Sequence, residues 1–158
     1  MSIKKQIRMI FTAALVALVV TGFAQAAGLS QREATVLSLV NQVRADHDLR
    51  PLQVDTRLVR TARVYSARLL RDGVFTHGDM TTRLRRSGAR GPLFGENLAW
   101  GVGSRATAAG IVRGWLASPG HRANLLRPGF RRIGIGCARG RFAGYRGASV
   151  VTANFAGR

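Results

Sequence analysis

Cysteine occurs once in this chain of 158 residues, at Cys137. A single thiol forms no intramolecular disulfide, and a thiolate metal site or a redox pair lacks its partners. Cys137 therefore reads as a small, buried apolar residue. Acidic residues are scarce too: seven Asp and Glu stand against 25 Lys and Arg, and only Glu33 and Glu96 are glutamates. Lysine disappears after Lys5, so every later cation is arginine. Histidine is limited to His47, His77 and His121, and no HExxH pair exists to open a metalloprotease site. No internal repeat or low-complexity tract is present.

What is there begins with Lys4, Lys5 and Arg8, followed by an uncharged apolar run from Met9 to Phe23 and by Ala24-Gln25-Ala26. A charged head, a short apolar run and an Ala-x-Ala site make residues 1–26 a secretory signal peptide, cleaved after Ala26. The run is short for a membrane span, which needs about 20 residues. An uncleaved anchor is the alternative. Cleavage leaves residues 27–158 as a single domain without a span, released to a periplasm or to the outside. Subtracting the leader's three basic residues leaves 22 arginines against seven acids, a net charge of +15. Such a charge attracts anionic envelope components, among them lipid headgroups and cell-wall polymers. It does not select nucleic acid as a specific partner, because the arginines are spread along the chain. Only Arg83-Arg85-Arg86-Arg90 and Arg127-Arg131-Arg132 approach a cluster, and interleaved aromatics are missing there.

Ser30-Gln31-Arg32-Glu33 is a capping box that opens a first helix, with Val36, Leu37, Leu39, Val40 and Val43 as its apolar stripe. It fades between Asp46 and Leu49, ahead of Pro51, and His47 at this end is solvated and without a role. Asp55 caps a second helix whose buried side carries Leu58, Val59, Ala62, Tyr65 and Leu69, and Gly73 ends it. A loop holding His77 and a short helical piece over 82–87 follow, before Gly88, Gly91 and Pro92 break the chain. Ser104 is the expected cap of a further helix, in which Ala108, Ile111, Val112 and Trp115 share one face. Strands are expected over 133–138 and 148–155, joined by a loop over 139–147. Gly134 and Gly136 alternate with Ile133, Ile135 and Cys137, so one face of the first strand is almost bare, and a helix lying over it is the simplest occupant. Helices ahead of a short sheet, without βαβ alternation, indicate an α+β layered domain.

Two places carry chemistry. Ser118-Pro119-Gly120 stops the Trp115 helix and turns the chain, so His121 is held by a rigid corner, suited to metal ligation or to a structural hydrogen bond. Glu96 sits with Asn97 in the apolar stretch Leu93 to Trp100. A buried carboxylate must be paired, hydrogen-bonded or protonated, and an ion pair with an arginine is the plain explanation.

His77 in Phe-Thr-His, Gly95-Glu96-Asn97, Trp115, Ser118-Pro119-Gly120-His121-Arg122 and the strand Val150-Val151-Thr152-Ala153-Asn154-Phe155 stand in an order that resembles the CAP/SCP superfamily. That group is named for cysteine-rich secretory proteins, antigen 5 and pathogenesis-related 1 proteins, and the likeness is to its bacterial secreted branch, over about residues 36–155. The resemblance implies a three-layer α-β-α sandwich with a central antiparallel sheet. It also implies a ligand cleft built from His77, Glu96, Asn97, Ser118 and His121. Family members gather two histidines and two glutamates there, and in some the histidines bind zinc, so His77 and His121 are the candidate ligands for Zn2+ or another divalent metal. Ser118 stands where many members have the second glutamate, and serine is neither a good ligand nor a general base. The resemblance therefore implies a non-catalytic envelope or extracellular module that binds an anionic component, a lipid or a peptide. A metal-dependent hydrolase acting through the candidate catalytic residues His77, Glu96 and His121, and a charge-driven binder of anionic polymers, are the alternatives.

Overall fold

The computed structural model describes residues 28–158, and the expected signal peptide lies outside the described residues. The capping box is present: the Ser30 side chain accepts from the Glu33 N–H at 3.3 Å, and Glu33 Oε2 accepts from the Ser30 N–H at 2.8 Å. It opens α1, Gln31–Ala45. After the two-residue strand β1, Gln53–Val54, helix α2 runs Thr56–Asp72. Asp55 caps α2 by accepting from the Arg57 and Leu58 N–H groups, and Gly73 closes it in the left-handed conformation. A loop over 74–79 leads to the short α3, Met80–Arg86, and to the edge strand β2, Leu93–Gly101. Helices α4, Ala108–Ala117, and α5, Pro119–Leu125, precede the long strands β3, Phe130–Phe142, and β4, Tyr145–Gly157.

The sheet order is β1-β3-β4-β2. Its three long strands pair antiparallel, and only β1 joins parallel, to β3. Helix α2 covers one face, while α1, α4 and α5 cover the other, which makes three layers with the sheet in the middle. Val36, Val40, Ile111, Trp115, Phe130, Ile133, Ile135 and Phe155 form the larger core, between the sheet and α1, α4 and α5. Tyr65, Leu69, Leu98, Phe142 and Val150 form a second core beneath α2.

The bare face of β3 is covered by α2. A Cβ on Gly134 would lie 2.1 Å from the Leu58 carbonyl carbon, and one on Gly136 would lie 2.1 Å from the Arg63 amide nitrogen. The helix backbone therefore rests directly on the strand, and Ser66 Oγ donates to the Gly136 carbonyl at 2.9 Å across that contact. Cys137, on the opposite parity, is free and half-buried, and burial pushes its thiol up to about 12.

Three local expectations are corrected. Ser104 does not cap α4: it lies in a 3₁₀ turn, Gly103–Ala106, and Thr107 is the cap, its hydroxyl accepting from the Gly110 N–H at 3.0 Å. The chain does turn at Ser118, which is extended, but Pro119 at once starts α5. Proline lacks only an N–H that a first helical residue does not need, so the residue that stops one helix opens the next. The supposed loop over 139–147 is mostly strand. Phe142 pairs with Tyr145 around a two-residue turn in which Ala143 and Gly144 both have positive φ, the tight hairpin whose twist matches that of the strands.

Candidate functional site

Glu96 lies on β2 facing α2, and its side chain has no exposed surface. Every partner comes from a different element. Oε1 bonds His77 Nδ1, from the loop after α2, at 2.9 Å. Oε2 accepts from Arg83 Nη2 on α3. Asn154 on β4, with its amide oriented so that both ends are paired, donates to Oε2 at 3.0 Å and accepts from the Ala62 N–H at 3.3 Å. The carboxylate is thus paired with an arginine, as the composition allowed, and with a histidine as well.

Arg83 is tied in three ways. Besides Glu96, it donates Nη1–H to the His77 carbonyl at 3.1 Å, and its guanidinium carbon lies 3.4 Å from the centroid of the Tyr65 ring. Its Nε is buried without a hydrogen-bond partner among the described residues, beneath that ring. Tyr65 in turn donates its hydroxyl to the Thr76 carbonyl at 2.7 Å. Burial pushes the Tyr65 hydroxyl above the ordinary tyrosine value, the Arg83 charge opposing. The His77 loop is therefore fastened at Thr76 and at His77, on either side of the imidazole it presents.

His121 occupies the third position of α5, and its imidazole centroid is 6.5 Å from that of His77. Burial, then the neighbouring His77, holds its pKa below the ordinary histidine value, so the neutral ring is favoured. Two buried anchors place α5. Asn97 Nδ2 donates to the His121 carbonyl at 3.0 Å, and Asn124 Nδ2 donates to Asn97 Oδ1 at 2.9 Å and to the Glu96 carbonyl at 3.2 Å. At the other end, the fully buried Arg44 of α1 donates to the carbonyls of Leu125 at 2.7 Å, Arg127 at 3.2 Å and Arg50 at 2.9 Å. Among the described residues its hydrogen bonds go only to carbonyls, and burial, then the nearby Arg131 charge, lowers its pKa. Trp115 packs the core and donates Nε1–H to the Leu98 carbonyl at 3.1 Å, so the edge strand is tied to α4 and α5 through side chains.

The structure brings His77, Glu96, Asn97 and His121 together. Ser118 caps α5 with its backbone, its carbonyl accepting from the Arg122 N–H at 2.8 Å and its side chain making no capping bond. Arg83, Asn154, Asn124 and Arg44 escaped the sequence reading as members or supports of the site. The capping residues announce themselves to neighbours two or three positions away, whereas Asn154 meets a partner 58 positions distant. A groove of about 580 Å³ runs beside the cleft with Tyr65 and Arg83 in its wall, but His77, Glu96 and His121 do not line it.

The geometry allows a definite chemistry. With Nδ1–H given to Glu96, the His77 ring presents Nε2 as its open acceptor, and its side chain is half exposed. A carboxylate behind an imidazole orients it in this way in metal sites also. For a metal, the chain offers the imidazoles of His77 and His121, and no group of three His, Cys, Asp or Glu side chains capable of holding one occurs among the described residues. Catalytic zinc takes three protein ligands. The donor set does not fit such a centre, and no step is derived through one.

The helix-sheet-helix sandwich is the fold of an SCP domain, as its likeness to a solved SCP-domain structure shows. The chain belongs to the cysteine-rich secretory protein (CAP) family, whose sequence profile matches residues 37–155. It is 34% identical over 113 residues to the uncharacterized protein YkwD of Bacillus subtilis, covering 68% of this chain and 43% of that protein. It is 30% identical over 112 residues to the uncharacterized membrane protein YlbC of the same organism, covering 68% and 32%. This chain thus spans less than half the length of those relatives. Among solved structures it is similar to an extracellular SCP-domain protein of Bacillus anthracis, with a TM-score of 0.68 at 28% identity, over 80% of this chain and 40% of that one. An outer surface protein of Borrelia burgdorferi, at 23% identity and a TM-score of 0.62 over 78% of this chain and 90% of that one, shares the fold.

Proposed function

We propose that this chain is an exported, non-catalytic binding module whose recognition site presents His77 and His121, with Glu96 and Asn97 buried behind them and Ser118 at the start of α5. The observation that carries this reading is the commitment of Glu96. Its side chain is shut off from solvent, and its two oxygens are engaged by His77, Arg83 and Asn154. A carboxylate so placed cannot take a proton from a water in the cleft without breaking bonds that hold three elements together. It serves instead to orient His77, while Ser118 supplies a hydroxyl where a second acid would be needed. The cleft is accordingly rigid and preorganised, which lowers the entropic cost of binding. Export is supported by the leader-like residues 1–26 and by the extracellular and outer-surface proteins that share the fold. The ligand class that fits the charge of the secreted part is an anionic envelope component, with peptidoglycan fragments the first to try.

Soluble muropeptides titrated calorimetrically into the exported chain test the proposal. Binding that the His77→Ala/His121→Ala double variant loses, with the fragments recovered at unchanged mass, is the expected result. Cleavage of the fragments that disappears in Glu96→Gln would establish a hydrolase. Binding unchanged in the double variant and falling steeply with salt would reduce recognition to charge alone. The histidine pair favours one second reading, divalent-metal binding. Zinc titrated alone, bound at micromolar or tighter affinity and lost in the double variant, would establish it.

A further inference from the structure

We propose that the end of the sheet bearing the β3–β4 hairpin docks on the headgroup region of an anionic lipid bilayer. Four aromatic rings meet there from three separate elements. Trp100, at the end of β2, lies 5.3 Å from Phe142 and 6.1 Å from Tyr145 of the hairpin, and Phe75, from the loop after α2, lies 6.2 Å from Phe142. Tyr145 is 56% exposed, Val74 53% and Phe75 43%, which makes three of the four large apolar side chains exposed among the described residues. Exposed apolar side chains gathered at one place mark an interaction surface.

The charge around this patch is predominantly positive, Asp72 and Asp79 beside Val74 being the acids near it. No Asp or Glu follows Glu96, while residues 97–158 contain ten arginines. Arg139, Arg141 and Arg146 are exposed on the hairpin itself. The acid at the end of α2, Asp72, is engaged by Arg68 and Arg71. Arginines complement anionic headgroups, tryptophan and tyrosine favour the boundary between headgroup and acyl chain, and Phe75 with Val74 can enter the apolar layer. Single-stranded nucleic acid would want rings laid flat as platforms. Here Phe142 meets Trp100 at 60° and Phe75 at 68°, edge to face, and an aliphatic valine extends the patch. The surface is independent of the cleft reading.

The test uses the chain recovered after export, so that residues 1–26 are not the membrane-binding element. It is mixed with vesicles of phosphatidylglycerol and phosphatidylcholine in equal parts, or of phosphatidylcholine alone. The expected result is co-sedimentation with the anionic vesicles and a blue shift of tryptophan emission. Trp115 is 1% exposed and already buried, so the shift reports Trp100 and vanishes in Trp100→Phe. The variant Tyr145→Ser/Arg141→Ser/Arg146→Ser alters only exposed hairpin residues and should bind at least about tenfold more weakly with its circular dichroism unchanged. His77→Ala/His121→Ala should bind vesicles like the wild type, which keeps a failure of the cleft distinct from a failure of this surface. Equal binding to phosphatidylcholine vesicles would overturn the proposal, as would undiminished binding by the hairpin variant. Tighter capture of an oligothymidylate strand than of the vesicles, lost in that same variant, would also overturn it by assigning the surface to nucleic acid.

Discussion

The contact between β3 and α2 decides where the cleft sits, and Gly136→Ala probes it directly. The new methyl group would lie 2.1 Å from the Arg63 nitrogen, 2.2 Å from the Ala62 carbonyl carbon and 2.6 Å from its oxygen. All three are helix backbone, so no side chain can swing aside. Ordinary van der Waals contact begins at 3.4 Å, so α2 must retreat by about 1.3 Å from a close-packed interior. Overpacking of this kind costs about 1–3 kcal/mol. The retreat also stretches the 2.9 Å bond from Ser66 Oγ to the Gly136 carbonyl beyond bonding range, which removes about 1 kcal/mol more. The sum is roughly 2–4 kcal/mol, to be read as a lower urea midpoint with an unchanged slope. Tyr65 moves with α2, so the Arg83 clamp on Glu96 loosens, and the muropeptide binding proposed above should weaken alongside stability. Gly114→Ala is the control: nothing lies within 4 Å of its added Cβ, it is exposed in the interior of α4, and it should stabilise by about 0.5–1 kcal/mol. A Gly136→Ala protein within about 0.5 kcal/mol of the wild type would refute the reasoning, since it would mean that the layers slide apart without cost.

Two further outcomes are expected. Thr107→Ala should cost about 1 kcal/mol by removing the cap of α4, while Ser104→Ala stays within about 0.5 kcal/mol, both by urea denaturation. Stability should fall in two steps on acidification. The folded-state pKa of His121 is depressed, so the unfolded chain binds the proton first, and stability declines as pH drops below about 6.5. Glu33 gives the second step, below the ordinary glutamate range: burial would raise its pKa, but the Arg63 ion pair and the Ser30 bonds together outweigh burial and lower it. His121→Gln should flatten the first step in pH-dependent thermal melts and leave the second.

Much of the local structure was legible because short-range physics writes it. The Ser30 capping box and the Asp55 cap act within three residues, and Trp115 sits at helical spacing with its apolar neighbours. The bare face of β3 was legible too, because glycines at alternate positions say that something comes close. The names of the candidate site residues came from an ordered set of short motifs; in the structure His77 bonds Glu96, Asn97 bonds the His121 carbonyl, and the two imidazoles lie 6.5 Å apart. Where two donors or two roles competed locally, the sequence could be read either way. Ser104 and Thr107 both offer capping hydroxyls, Pro119 can end a helix or begin one, and a run rich in glycine and arginine can be loop or twisted hairpin.

By itself, the sequence determined the charge, the helices opened by Ser30 and Asp55 and the central parts of the two long strands, and it marked Glu96 as an acid set in an apolar stretch. Only the tertiary structure decided that Arg83, out of 22 arginines in residues 27–158, would neutralise that acid, and that Asn154 would complete its shell. It also buried Arg44 among carbonyls at the end of α5 and gathered Phe75, Trp100, Phe142 and Tyr145 at one end of the sheet. Pairing at such separations depends on which strands and helices become neighbours. The layered packing sets that, and no local pattern of residues encodes it.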